Sequence, residues 1–179
     1  ENINGLINCI YLNSLNLSRC QKLNNISLIQ FKYLEYLDLS YTNIIDLTIL
    51  QNCTQLTNLN IMGTKIIDID ALIKCNKLTN LNISKTKITN IDILYNHIHL
   101  LYLDISDTLI NNIEILSKFI NLIILNICNT HIMSYGILSL CKNITTLYIS
   151  YTLLANDIYT LKYCKKLKYL FKLGFWGFG

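Results

Sequence analysis

The chain repeats itself every 22 residues, and this period constrains its fold more than any other feature of the sequence. Seven successive units open with leucine or isoleucine, at Leu12, Leu34, Leu56, Leu78, Leu100, Leu122 and Ile144. Another leucine follows three residues after each opening residue, from Leu15 to Leu147. Self-similarity of this length predicts a stack of equivalent units in which each shelters the apolar side of its neighbour.

Each unit divides into two halves with different periodicities. The first half ends eight residues after the opening residue, in Cys20 and then in Thr42, Thr64, Thr86, Thr108, Thr130 and Thr152. Apolar and polar residues alternate before this position, which predicts a short strand. After it the apolar residues recur in threes, as at Ile66, Ile69 and Leu72. A period of three favours a 3₁₀ turn or tight loop over an α-helix.

Polar residues precede each return turn, at Asp46, Asp68, Asn90, Asn112 and Asn156. Asp and Asn side chains accept hydrogen bonds from the free N–H groups at the start of a helical turn. We therefore expect these residues to cap the turns. One unit is then a coil with a strand on one side, a capped turn on the other and an apolar filling between them.

The unit LxxLxISxTxIxxIxxLxxC resembles the leucine-rich-repeat family, in the short 22-residue class typified by internalins and phosphatase-regulatory proteins. The resemblance covers nearly the whole chain. It implies an α/β repeat fold: a right-handed solenoid with a parallel β-sheet on the concave face and 3₁₀ turns or loops on the convex face. Family members usually carry Asn, which bonds neighbouring coils, where this chain has Thr. A hydroxyl both donates and accepts hydrogen bonds, so we expect a Thr ladder instead.

The repeat predicts a single array over residues 1–179. Residues 1–11 fit the end of a preceding repeat, residues 12–166 form seven repeats, and residues 167–179 form an incomplete last repeat and an aromatic, glycine-rich tail. We expect this tail to be a frayed end or the start of a further coil rather than a partner-binding hook. Uncapped solenoid ends expose apolar surface, so end-to-end self-association of this segment is also expected.

The net charge of +4 is modest, and many of the lysines lie late in the chain, at Lys162, Lys165, Lys166, Lys168 and Lys172. We expect this cluster to be solvated, because a nucleic-acid-binding protein usually shows a basic stripe along one face. No apolar run approaches the roughly 18 residues of a membrane span. The sequence thus predicts neither a nucleic-acid partner nor a membrane segment.

Five of the seven cysteines share one position near the end of the unit: Cys9, Cys53, Cys75, Cys141 and Cys164. His97 and Phe119 occupy the same position in other units. Phe cannot ligate a metal and Cys behaves as a small apolar residue, so we expect buried free thiols rather than a metal site or disulfide framework. Reduced thiols, with no signal peptide in this segment, favour an intracellular setting.

The sequence contains no catalytic constellation and no glycine-rich phosphate loop, which predicts that the protein is not an enzyme and needs no cofactor. The resemblance implies instead a scaffold for protein–protein interaction, with a partner of unknown identity on the concave strand face. Two alternatives are a substrate-recognition arm of a ubiquitin ligase and a surface adhesin or antigen.

Outward-pointing tyrosines and acids gather in three units. Exposed tyrosines offer a large contact area and a polar tip, which is typical of binding hot spots. The predicted ligand-binding residues are Tyr36, Asp38, Tyr41, Tyr102, Asp104, Asp107, Tyr148 and Tyr151.

Overall fold

The computed structural model describes residues 4–6, 8–23, 28, 30–152 and 159–172. In this part of the chain eight parallel strands form one sheet in sequence order. The strands are β1 Ser14–Asn16, β2 Tyr36–Asp38, β3 Asn58–Asn60, β4 Asn80–Asn82, β5 Tyr102–Asp104, β6 Ile124–Asn126, β7 Thr146–Tyr148 and β8 Tyr169–Phe171. Leu37 pairs with Leu59, and Leu59 with Leu81, so the strand register is the sequence period. The predicted stack of coils is confirmed.

The helical elements described on the return side are all short 3₁₀ turns, as the period of three predicted. The described turns are Asn4–Leu6, Thr48–Leu50, Asp70–Lys74, Asp92–Asn96, Glu114–Lys118, Gly136–Leu140 and Tyr159–Tyr163. No helix in the described ranges is long and apolar enough to cross a membrane.

Polar side chains cap these turns as expected. Asp46 Oδ1 accepts from the N–H of Thr48 at 2.9 Å, and Asn112 Oδ1 accepts from the N–H of Glu114 at 2.9 Å. Asp68 and Asn90 make the same bond, and Asn156 lies outside the described residues. These four turns therefore begin with an orphan N–H satisfied by a side chain.

The apolar filling lies between the sheet and the turns. In the coil that opens at Leu78, the side chains of Leu78, Leu81, Ile88 and Leu94 are all fully buried. Burying one such side chain stabilises the fold by roughly 1.5–3 kcal/mol, and the stacked coils repeat this contribution along the array.

The threonines form a regular buried row, but their hydroxyls bond within their own coils. Thr86 Oγ1 donates to the carbonyl of Ile83 at 2.7 Å, and Thr108 Oγ1 to that of Ile105 at 2.6 Å. The other four threonines repeat this bond to the residue three positions earlier. The expected ladder between neighbouring coils is therefore not formed by these hydroxyls, because each already satisfies a carbonyl where its own strand ends.

A left-handed residue lies immediately before each of these six threonines and before Cys20. The backbone φ angle is between 50° and 68° at Arg19, Tyr41, Gly63, Lys85, Asp107, Asn129 and Tyr151. This conformation turns the chain out of the strand, and only glycine adopts it without strain. At Gly63 a Cβ atom would also lie 2.7 Å from the ring of Tyr41, so a larger residue there would have to displace that ring.

Candidate binding groove

Four neighbouring strands build a groove on the strand face. Strands β2 and β5 each read Tyr-Leu-Asp, and β3 and β4 between them each read Asn-Leu-Asn. The groove has a volume of about 210 Å³, with Tyr36 and Tyr102 as its two walls. Its floor consists of Leu59 and Leu81 together with four polar residues, Asn58, Asn60, Asn80 and Asn82. Three strand spacings separate the walls, a distance of ~14 Å.

The floor of the groove presents hydrogen-bond donors. Asn58 Oδ1 accepts from the hydroxyl of Thr57 and Asn80 Oδ1 from that of Thr79, both at 2.8 Å. Asn82 Oδ1 accepts from the N–H of Ser84 at 2.9 Å. With the oxygens held, each amide nitrogen is oriented, and among the described residues none of these three nitrogens has an acceptor. The floor is thus suited to a ligand rich in acceptors, such as backbone carbonyls.

The tyrosine walls are neutral and amphipathic. Burial raises the pKa of Tyr102, and the Asp104 carboxylate, which accepts from the phenol at 3.3 Å, raises it further. Burial likewise raises the pKa of Tyr36, with a smaller contribution from Asp38. Both phenols therefore keep their protons near neutral pH and offer apolar ring area with a polar tip.

Asp38 and Asp104 lie on the strand face beside the tyrosine walls, where hydrogen bonds to neighbouring residues hold them. Each is only 8% exposed. Asp104 Oδ1 accepts from the N–H and hydroxyl of Ser106, and its Oδ2 accepts from the amide of Asn126 at 3.1 Å. Asp38 makes the same bonds to the N–H of Ser40 and the amide of Asn60. Both carboxylates therefore lie on the strand face but are covered by their neighbours, because the bend after the strand needs them as acceptors.

The remaining predicted site residues lie outside the groove. Tyr41, Asp107 and Tyr151 occupy the left-handed positions after their strands. Tyr41 packs on Gly63, and Asp107 Oδ1 accepts from the amide of Asn129 at 2.7 Å. Tyr148 stacks on Phe171 with ring centroids 4.4 Å apart. Of the eight predicted site residues, Tyr36 and Tyr102 are the two that line the groove.

Sequence reasoning missed the asparagine floor, although a signal was present. Two identical Asn-Leu-Asn strands lie between two identical Tyr-Leu-Asp strands. Because strands 22 residues apart pair in register, this order of strands places a tyrosine on each side of the four asparagines. Asparagine is abundant throughout the chain, so these four residues do not stand out in the sequence as aromatic and charged side chains do.

The architecture matches solved structures of internalins from Listeria monocytogenes. The crystal structure of an internalin (InlF) matches 95% of this chain with a TM-score of 0.85 and 25% sequence identity. This chain therefore folds as a right-handed leucine-rich-repeat solenoid. Internalin C2 matches 96% of the chain with a TM-score of 0.87 at 22% identity, and the functional domain of InlJ matches 93% with 0.74 at 23%.

The solenoid spans only part of these neighbours: 50% of the InlF chain, 76% of the internalin C2 chain and 40% of the InlJ chain. No protein-family model matches it, and no curated protein matches its sequence. What the neighbours share with the solenoid is the repeat architecture.

The shared cysteine position lies in the apolar filling of the solenoid. Cys53, Cys75, Cys141 and Cys164 are buried free thiols, as predicted, whereas Cys9 is exposed. Burial raises the pKa of Cys53 to about 11 and that of Cys75 and Cys141 to about 12, so these thiols stay protonated and inert. The InlJ domain includes a cysteine ladder; here His97 and Phe119 interrupt the row.

Proposed function

We propose that the solenoid is a non-catalytic scaffold that binds a protein partner through the groove between Tyr36 and Tyr102. The observation that carries this proposal is the set of oriented amide donors between two tyrosine walls. An extended segment of a partner presents backbone carbonyls at regular spacing, which complements such a floor. The rings would cover its apolar side chains and exclude water from these bonds.

The walls are tested by Tyr36→Asn combined with Tyr102→Asn. Asparagine stands at the same repeat position in β3 and β4, so the fold should tolerate it. Peptides selected from a random display library on the unaltered protein should bind the double variant at least about tenfold more weakly, because hot-spot tyrosines contribute ~2 kcal/mol each. Affinity is measured by fluorescence anisotropy of each labelled peptide.

Tyr169→Asn is the matched control. Tyr169 occupies the same repeat position in β8, is exposed and lies far from the groove. Peptide binding should be unchanged in this variant. If the selected peptides bind the double variant as tightly as the unaltered protein, the groove is not the binding surface.

The floor has its own test in Asn80→Asp. This change keeps the side-chain shape but replaces the free donor by an acceptor, so a ligand carbonyl would meet a carboxylate oxygen instead of an amide N–H. We expect the affinity to fall at least about tenfold, with no loss of thermal stability. Equal or tighter binding would show that the ligand donates to the floor.

Two narrower functions share this surface: a substrate-recognition arm of a ubiquitin ligase and a surface adhesin or antigen. The discriminating observation is the complete reading frame. An adaptor-binding helical motif upstream would support the first function, and a secretory signal upstream or a membrane anchor downstream would support the second.

A further inference from the structure

Four large aliphatic side chains are exposed on one flank of the solenoid, where each return turn leads back into a strand. Ile98 is 47% exposed, Leu101 38%, Ile120 60% and Ile123 39%. They form a block two coils wide, because the N–H of Ile123 donates to the carbonyl of Leu101 and the Asn121 amide donates to that of Ile98. We call this block the aliphatic patch.

The repeat itself does not require apolar residues at these positions. Asn76 and Thr54 occupy the position of Ile98 in earlier coils. Thr79 and Thr145 occupy the position of Leu101 and Ile123 in the coils on either side of the block. These polar residues occur in well-formed coils of the same sheet. The aliphatic patch therefore exposes apolar surface that packing of the solenoid does not explain, which is typical of an interaction surface.

A basic cluster continues the same flank in the next two coils. It consists of Lys142, Lys165, Lys166 and Lys168, all exposed. The register is continuous, because the N–H of Thr145 donates to the carbonyl of Ile123 and that of Lys168 donates to the carbonyl of Thr145. Lys166 Nζ also donates to Asn143 Oδ1 at 2.7 Å. None of the equivalent flank positions between Ile98 and Lys168 carries Asp or Glu.

We propose that the aliphatic patch and the basic cluster form a second docking surface, for a partner-protein segment with an aliphatic half followed by an acidic half. The aliphatic patch and the basic cluster are each two coils wide, so the centres of the aliphatic and acidic halves of the segment lie ~10 Å apart. Carboxylates opposite the lysines add charge complementarity and speed the encounter, while burial of the four aliphatic side chains supplies affinity. This surface is separate from the groove and does not depend on the function proposed for it.

An anionic membrane surface offers the same two kinds of contact. The arrangement favours the protein segment, because the lysines lie beyond the aliphatic residues along the solenoid axis and do not surround them. A membrane-binding patch sinks its apolar residues into the lipid with basic residues at their border.

The experiment uses a labelled synthetic peptide with a leucine-rich half followed by a glutamate-rich half, and measures its binding by fluorescence anisotropy. The test variants copy residues that other coils of this chain carry at the same positions: Leu101→Thr with Ile123→Thr, and Lys142→Thr with Lys168→Thr. Each pair should weaken binding about tenfold or more. Added salt should weaken binding by the unaltered protein, but less so by the lysine variant.

Matched controls separate this surface from general stickiness and from the groove. Ile45 and Ile67 are each 60% exposed on neighbouring coils, and Thr89 occupies their position in the next coil. Ile45→Thr with Ile67→Thr should leave peptide binding unchanged, as should Tyr36→Asn with Tyr102→Asn. A loss in the groove variant would show that the peptide binds in the groove and would overturn the proposal.

Two further results would overturn it. One is a peptide that does not bind, or that binds the threonine variants as tightly as the unaltered protein. The other is retention of the protein on phosphatidylserine–phosphatidylcholine vesicles, lost in the same variants, without binding of the peptide; the flank would then be a membrane contact.

Discussion

Two rows of side chains run along the solenoid, and they differ in how strictly their chemistry is constrained. The capping row lies at the ends of the strands and consists of Asn16, Asp38, Asn60, Asn82, Asp104 and Asn126. Each member accepts a hydrogen bond from the N–H two residues later. The core row lies at the end of the return turns and consists of Phe31, Cys53, Cys75, His97, Phe119, Cys141 and Cys164, all of them buried.

The capping row holds only Asp and Asn because it satisfies a backbone donor. A short side chain with an sp² oxygen reaches the N–H two residues ahead, and few other residues do. Tyr148 follows Asn126 at this position, and there the N–H of Ser150 donates to Cys128 Sγ in the preceding coil at 3.2 Å. Where Tyr148 replaces Asp or Asn, a side chain of the neighbouring coil therefore accepts the hydrogen bond from the backbone N–H.

The core row accepts a thiol, an imidazole and a phenyl ring because it mainly fills volume. Its members also meet a backbone carbonyl: His97 Nε2 donates to Leu72 O at 3.1 Å and Cys164 Sγ to Leu138 O at 3.2 Å. Phe119 makes no such bond, so the bond is dispensable whereas the burial is not. A position whose side chain must accept a hydrogen bond from the backbone restricts the type of residue. A buried position that only fills space accepts several residue types and restricts only their polarity.

Asp104→Leu should break this comparison with the largest effect. The change leaves the buried N–H of Ser106 without its acceptor and removes one of the two acceptors of the Asn126 amide, and we expect a loss of about 3 kcal/mol in the free energy of unfolding. Urea denaturation measures it. Asp104→Asn is the control, since Asn caps β3 and β4 in the same way, and it should cost much less. Equal losses in both variants would mean that the carboxylate has a role beyond capping.

Cys75→Ser tests the core row with a smaller expected effect. The thiol lies 3.6 Å from the carbonyl of Cys53, and the shorter hydroxyl would be buried without reaching that acceptor. We expect a loss of about 2 kcal/mol in the free energy of unfolding, against about 1 kcal/mol for Cys75→Ala, which only removes volume. A serine variant as stable as the alanine variant would show that this row tolerates polar groups.

His97 should make the core row sensitive to pH, with the smallest of the three effects. Burial lowers its pKa below the usual 6.5, against the raising effect of nearby backbone carbonyls, and its Nδ1 has no hydrogen-bond partner. The unfolded chain therefore binds the proton more tightly. Neutral His97 makes its full contribution to the free energy of unfolding above pH 6.5. This contribution is lost as the pH falls through the pKa of His97 in the folded chain, by at most about 1.4 kcal/mol for each pH unit.

The measurement compares the free energy of unfolding of the unaltered protein and His97→Phe, near neutral pH and about one unit below pH 6.5. Phe119 stands at the same position in the next coil, so the variant should fold. The other histidines, His99 and His131, are unchanged and cancel in the comparison. The variant should lose less stability on acidification, and identical losses would show that His97 does not titrate in this range.

The period of the sequence was sufficient to predict most of the fold. Leucines at fixed positions could be buried in only one way, by stacking coils in register, and the polar residue before each turn marked its cap. The site was only partly predictable. The alternation of the strands places Tyr36, Tyr102, Asp38 and Asp104 on the outward face. It does not show that the two carboxylates are covered there, because a strand pattern shows direction and not hydrogen bonding.

The sequence by itself determined the shape of one coil, the register between coils and which residues line up in the capping row and the core row. This is because residues 22 positions apart have the same local geometry and contact each other in adjacent coils. Only the tertiary structure decided what each outward residue does. Stacking brings side chains from four coils to one groove and side chains from neighbouring coils to one flank, and it covers two carboxylates with their neighbours. These outcomes depend on distances between residues that are 22, 44 or 66 positions apart, which no single unit contains.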